Sequence, residues 1–265
     1  MSGSAISLVL ISAFLHAFWN ARTHAGSDRI AELVVAYATN VVIFLPWLII
    51  DPPTEAPVLV LLSGLAHGGY IWFLALAYQR GGLATTYPVA RGTAPLFVAV
   101  AGIWLLDQAP SALTLLGAFV VALGLAVIGG VAWRAGERSG LAMAVVTGAF
   151  IASYTLVDAR GTTHTGGLGH FAAASVVAVV TVVVLTRMNP QRLRNSMRRG
   201  ASIGVFSATA YGLILVAYTR ADAANIATLR GTSILFGLAL VPRTLNRRLV
   251  LGAVAVVVGA VLVAA

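Results

Sequence analysis

The chain has 265 residues, of which 59% are apolar and only 9% charged, with a mean hydropathy of +0.93. A soluble domain carries about 25% charged residues to solvate its surface, so water is excluded as the main solvent here. All 17 basic residues behind the net charge of +9 are Arg. With no soluble domain to present them as a basic face, nucleic acid is excluded as a partner. The absence of Cys removes disulfides, thiol nucleophiles and thiolate metal sites.

Apolar runs of about 20 residues match a bilayer core of roughly 30 Å. They predict helices over 5–24, 30–50, 57–78, 83–106, 112–132, 139–158, 168–186, 201–219, 222–241 and 249–264. The first run lacks a basic leader and continues through His16, Trp19 and Asn20 without a clear small-residue cleavage site, so it reads as a helix and not a signal peptide. Asp51-Pro52-Pro53 ends the second helix, Asp107 to Pro110 separates the fourth and fifth, and Arg187 to Gly200 is the longest connection.

Laying 77–129 on 217–264 reveals a repeat. Ala77-Tyr78-Gln79-Arg80 matches Ala217-Tyr218-Thr219-Arg220, Arg91-Gly92-Thr93 matches Arg230-Gly231-Thr232 with one residue of slippage, and Gly117 and Gly124 match Gly252 and Gly259. Ala13-Phe14 against Ala149-Phe150 and Trp19 against Tyr154 extend the match more weakly. Five helices per half is odd, so the second half enters the membrane from the opposite side. The expected fold is therefore all-α: a polytopic membrane protein of ten transmembrane helices in two inverted five-helix repeats, 1–134 and 135–265. Many secondary transporters are built this way, with a site near the midplane between the halves. Connections after the odd-numbered helices hold thirteen Arg, whereas the other side holds only Arg160 and Arg220. The positive-inside rule then puts both termini outside the cytoplasm. The expected location is the inner (plasma) membrane, crossed many times.

His16-Ala17-Phe18-Trp19-Asn20, Tyr87 to Pro95, Tyr154-Thr155-Leu156-Val157-Asp158 and Leu229-Arg230-Gly231-Thr232-Ser233 together resemble the EamA-type, ten-helix drug/metabolite transporter family over essentially the whole chain. The resemblance implies a helical basket with a central cavity lined mainly by helices 1, 3, 4, 6, 8 and 9, and export or exchange of small metabolites. Relatives often carry an acid after the ninth-helix Arg and another before the last helix. Gly231 and Thr244-Leu245-Asn246 stand there instead, so coupling through those carboxylates is not expected.

Ten residues are candidates for substrate binding: His16, Trp19, Asn20, His67, Tyr87, Arg91, Tyr154, Asp158, Tyr211 and Arg230. Arg91 and Arg230 lie mid-run at equivalent repeat positions, where a charge costs about 2.5 to 3.5 kcal/mol. Two roles are open to them. They bond carbonyls freed by Pro88, Pro95, Gly92 and Gly231, or they line the cavity and hold a carboxylate, phosphate or phosphonate, which suits the planar guanidinium. Asp158 is a counter-ion for one of them, a proton site, or a solvated helix-end residue beside Arg160. His16 shares a face with Trp19 and Asn20 and either carries a coupling proton or hydrogen-bonds neutrally between helices. His67 and Tyr70 repeat that spacing and that ambiguity. His24, His164 and His170, near helix ends, carry less weight. Trp19, Tyr87, Tyr154 and Tyr211 supply aromatic walls of the kind that suit a small organic ligand, while Trp47, Trp104 and Trp133 are expected interfacial anchors. The four repeat glycines mark a close helix contact in each half and offer a homodimer surface.

No metal, phosphate-loop or nucleophile motif is present, so no enzyme and no cofactor are expected. The partners expected are a small-molecule substrate, the bilayer and coupling protons. The chain reads as a secondary transporter, an exporter or exchanger of a small polar metabolite bearing an anionic group such as an amino or organic acid, working by alternating access. The alternatives are a lipid or headgroup flippase or scramblase, and a proton-coupled drug exporter.

Overall fold

The computed structural model describes residues 3–106, 111–161, 167–218, 220, 229–241 and 245–264. The Asp107 to Pro110 connection, His164, the 222–228 part of the ninth expected helix, Arg243, Thr244 and the side chain of Trp104 lie outside the described residues. The described residues form ten helices and no strand: α1 Gly3–His24, α2 Arg29–Ile50, α3 Pro57–Arg80, α4 Leu83–Leu106, α5 Ala112–Arg134, α6 Arg138–Gly161, α7 Gly167–Leu185, α8 Pro190–Tyr218, α9 Ser233–Ala239 and α10 Arg247–Ala264. Six of them, α1, α2, α3, α5, α6 and α7, are long and apolar enough to cross a membrane. Large apolar side chains such as Val42, Ile50, Leu115, Phe119 and Val184 stand exposed on the outside. Water penalises such a surface and a hydrocarbon solvent does not.

The helix starts follow local chemistry. Asp28 accepts from the Ala31 amide at the head of α2, Ser111 from Thr114 at α5, and Asn246 Oδ1 from Leu249 at α10, each satisfying an orphan amide. α8 departs most from expectation, beginning at Pro190 where a connection was expected up to Gly200. Asn189 caps it through the Gln191 amide, and Pro at the first helical position costs no hydrogen bond. The Arg-rich stretch that a hydropathy window rejects is thus an amphipathic extension of the helix, docked by ion pairs onto the start of α2.

Helix packing is set by glycines. A Cβ on Gly117 would lie 2.7 Å from the Gly259 carbonyl oxygen, and one on Gly259 2.7 Å from that of Gly117. Gly124 and Gly252 face each other in the same way, at 2.6 and 3.0 Å. These pairs bring α5 and α10 together antiparallel, backbone against backbone. The four repeat glycines therefore serve one contact between the halves, inside the chain, and not a separate contact in each half or a surface for a second copy. A second set is Gly64 and Gly68 on α3 with Gly200 and Gly204 on α8. Gly64 meets Ala174 and Val177 of α7 and Gly68 meets Ala178 and Thr181, whereas Gly200 meets Glu32 and Val35 of α2 and Gly204 meets Ala36 and Thr39.

The partners follow the same rule elsewhere. α3 packs on α6 and α7 as α8 packs on α1 and α2, and α4 packs on α6 as α9 packs on α1. α2 packs on α7 with opposite chain direction, Phe44 meeting Phe171 while a Cβ on Gly169 would meet the Asp51 carbonyl. The core lies between these helices, around Trp19, Tyr70, Tyr78 and Tyr87.

Substituting Leu for Gly124 is expected to destabilise the protein by about 1–3 kcal/mol or more, because the new side chain meets backbone that cannot swing away. Leu at Gly130, where nothing lies within 4 Å of the Cβ position, is expected to be neutral. Thermal unfolding in detergent distinguishes the two.

Candidate functional site

A cavity of about 440 Å³ lies between the helices. α1 lines it with His16 and Trp19, α2 with Tyr37 and Asn40, α3 with His67 and Tyr70, and α6 with Tyr154 and Asp158. α7 adds Phe171, α8 adds Ser207 and Tyr211, and Arg230 enters just before α9. The rings are mutually braced. His67 stacks on Tyr154 with centroids 4.1 Å apart and planes at 18°, Phe171 stacks on Tyr211 at 4.8 Å, and His16 stands edge-on to Trp19 at 5.0 Å.

Seven of the ten expected residues are in this wall: His16, Trp19, His67, Tyr154, Asp158, Tyr211 and Arg230. Asn20 is not. It is 1% exposed, its Nδ2 donates to the His16 carbonyl at 2.7 Å, and its Oδ1 accepts from the Tyr78 hydroxyl at 2.7 Å. These bonds tie α1 to α3 and leave the amide little capacity for a ligand. Tyr87 is 1% exposed behind the wall, with its ring against Gly237 of α9 and 6.2 Å from His16. Arg91 also lies outside the lining residues. Its charge nevertheless acts, together with that of Arg230, on His16, Tyr87 and Tyr154. The Trp19 indole N–H is buried with no partner among the described residues.

The helices expected to line the cavity need correction. Among the described residues α4 contributes none to the lining, and α2 and α7 do. The antiparallel crossing of α2 on α7 closes one side of the cavity, while α4 packs back onto α5, α6, α9 and α10. Tyr37, Asn40 and Phe171 were missed for this reason. Asn40, 2% exposed within an apolar run and accepting from Ser207, carried a signal: a buried amide in such a run requires a partner.

Asp158 is partly exposed to the cavity. Its Oδ1 accepts from the Ser63 hydroxyl and faces His170 Nε2 at 3.3 Å. His170, discounted from sequence as a helix-end residue, is 1% exposed, with Gly161 against its ring.

The cavity reaches the last turn of α6 and the first of α7 at Asp158, Ala159 and Gly167. The opposite, Arg-rich end is cross-linked. Arg192 pairs bidentately with Asp28 at 2.8 and 2.9 Å, Arg199 Nε lies 3.4 Å from the buried Glu32, and Arg22 donates to Ser202 at 2.7 Å. Glu32 is a second acid held inside a helix, beside the Asp158 recognised from sequence. Its partner lies 167 positions along the chain, too far for spacing to reveal it.

No family model matches the chain, and no curated protein matches it in sequence. A solved crystal structure is similar in fold, with a TM-score of 0.60 and 16% identity over 99% of this chain and 96% of that one. The whole chain thus shares one known architecture.

The Arg192 guanidinium holds the Asp28 carboxyl below its ordinary value of 3.8. A depressed carboxylate contributes stability above its unfolded value and loses it as pH falls through the folded one. Arg192→Gln is therefore expected to lower the melting temperature at neutral pH, by the modest amount usual for a solvent-screened pair. The gap from wild type should close as the pH is taken below 3.8.

Proposed function

We propose that the chain is a secondary transporter that exports or exchanges a small polar metabolite carrying a carboxylate, phosphate or similar group. The observation that carries this reading is an aromatic cavity that Arg230 enters, with His16 and the Trp19 indole in the same wall and the indole N–H without a partner among the described residues; the charge of Arg91 also acts on His16. Donors and positive charge meet at a cavity otherwise walled by aromatic rings. An anion completes such a set, and the planar guanidinium favours one with two oxygens in a plane.

The architecture supports transport by alternating access. We read the halves 1–134 and 135–265 as an inverted pair within ten spans. Equivalent helices α5 and α10 meet antiparallel, as do α2 and α7, and the glycine pairs of α3 and α8 occupy equivalent contacts. Two related halves around a midplane cavity are the frame on which such transporters rock. The EamA-type resemblance of the motifs agrees with this reading, under which the chain is a multi-pass protein of the plasma membrane.

Two outcomes test it. Among purified-protein thermal shifts with succinate, glutamate, phosphoserine, tyramine and putrescine, the acids are expected to stabilise, by about 2.7 kcal/mol at 100 times Kd, and the two amines are not. Arg91→Lys and Arg230→Lys keep the charge and lose the fork. Each is expected to weaken that binding by about 1.5 to 3 kcal/mol, roughly ten-fold to a hundred-fold. Binding of the amines alone, or Arg→Gln variants that transport normally, sinks the anion reading. For orientation, single Cys probes at the exposed Gln191 and Glu55 are labelled in intact cells with an impermeant reagent. Glu55→Cys is expected to react and Gln191→Cys to be protected, and the reverse pattern overturns the assignment of the Arg-rich end to the cytoplasm.

A further inference from the structure

We infer that Asp158, Ser63, His170 and His67 form a proton-binding site in the cavity wall, separate from the arginine centre, that couples transport to a proton gradient. The site rests on the transport reading above and adds the coupling ion to it.

The four side chains form one continuous polar chain across three helices. His67 Nδ1 of α3 lies 3.3 Å from Ser63 Oγ, the Ser63 hydroxyl donates to Asp158 Oδ1 of α6, and the same oxygen faces His170 Nε2 of α7 at 3.3 Å. The two imidazoles are buried, at 3% and 1% exposure, and the carboxylate between them is 27% exposed and lines the cavity. Cavity water thus reaches the acid, and the acid reaches groups that water does not.

With its Nε2–H turned to Asp158, His170 leaves Nδ1 as an acceptor, buried and with no hydrogen-bond partner among the described residues. The proton from cavity water is therefore taken by the partly exposed Asp158 carboxyl, whose Oδ1 the Ser63 hydroxyl and the His170 Nε2–H already hold in place. The balance is simple. One proton enters from cavity water, the Asp158–His170 pair passes from one net negative charge to none, and the proton leaves by the same carboxyl. No oxidant or further reactant is needed.

The surroundings separate this site from His16. The charges of Arg91 and Arg230 both act on His16 and that of Asp158 on His67 and Tyr37, while Tyr154, stacked on His67, feels all three. Tyr70 of α3, Tyr211 of α8 and Arg230 complete the titratable groups in the same cavity wall, and Arg160, two residues along α6, is exposed. The cavity therefore holds cationic and acid–imidazole groups that meet at Tyr154. When Asp158–His170 is neutral, the net positive charge of the cavity rises by one and an anion is held more tightly; release of the proton loosens it.

The test uses the full-length protein in liposomes. In the absence of any solute, the infrared difference spectrum between about pH 8 and pH 5, the range in which an imidazole ordinarily titrates, is expected to contain a carboxyl or imidazole band that both Asp158→Asn and His170→Gln remove. Ser63→Ala, which keeps the Asp158 and His170 side chains, is expected to retain the band at a shifted position. In the same vesicles, Asp158→Asn is expected to reduce pH-gradient-driven accumulation of labelled glutamate to the equilibrium ratio while equal-pH exchange continues. Spectra of both variants identical to wild type, or undiminished accumulation by Asp158→Asn, overturn the proton site and leave the transport reading standing. If no version moves glutamate, that reading fails for this solute, and the spectra alone decide whether the proton site exists.

Discussion

The structure depends on how closely two helices can approach when nothing drives them together but contact. In a hydrocarbon solvent, burying Leu against Leu gains little, because lipid is equally apolar, so association rests on van der Waals contact at short range. Glycine permits that range. Gly117 and Gly124 against Gly259 and Gly252 put the α5 and α10 backbones side by side, and Gly64, Gly68, Gly200 and Gly204 do the same for α3 on α7 and α8 on α2. Large apolar side chains are left on the outer surface, where they meet the surrounding solvent and add little to the fold.

Close packing of that kind leaves room elsewhere. Where α2 and α7 cross and the other helices splay around them, polar side chains gather that would be expensive on an isolated helix. Most are satisfied structurally: Asn20 by Tyr78 and a carbonyl, Asn40 by Ser207, and Ser12 by the Ala210 carbonyl. Among the described residues the exceptions include the Trp19 indole in the cavity wall and the His170 imidazole beside Asp158, with others in the packing on Glu32, Tyr87, Ser175, Arg199 and Ser233. Unfilled groups beside a cavity have a use that unfilled groups in packing do not.

Much of this was legible in the sequence, and the gaps have physical causes. Apolar run length marks helices well because the solvent selects it, yet it stopped α8 at Gly200, since an Arg-rich amphipathic turn and a loop have the same hydropathy. The seven-residue glycine spacing announced a close contact, but spacing within a helix says nothing about its partner. Asn20 looked like His16 and Trp19 because all three share a face, and only the tertiary position of Tyr78 shows that it is already engaged. His170 was discounted as a helix-end residue, and its carboxylate partner sits across a helix connection, where periodicity carries no information.

The glycine contacts have a further consequence for biosynthesis. Each joins a residue of the first half to one more than 100 positions later, as Gly68 joins Thr181 and Val35 joins Gly200. A ribosome delivering the chain from its amino end releases α2, α3 and α5 well before α7, α8 and α10 exist. The early helices must wait in the bilayer with their grooves empty, exposed to proteolysis and to foreign helices with small-residue faces. Long-range pairing of this kind makes folding late and concerted, so quality control meets this protein chiefly as a half-made one.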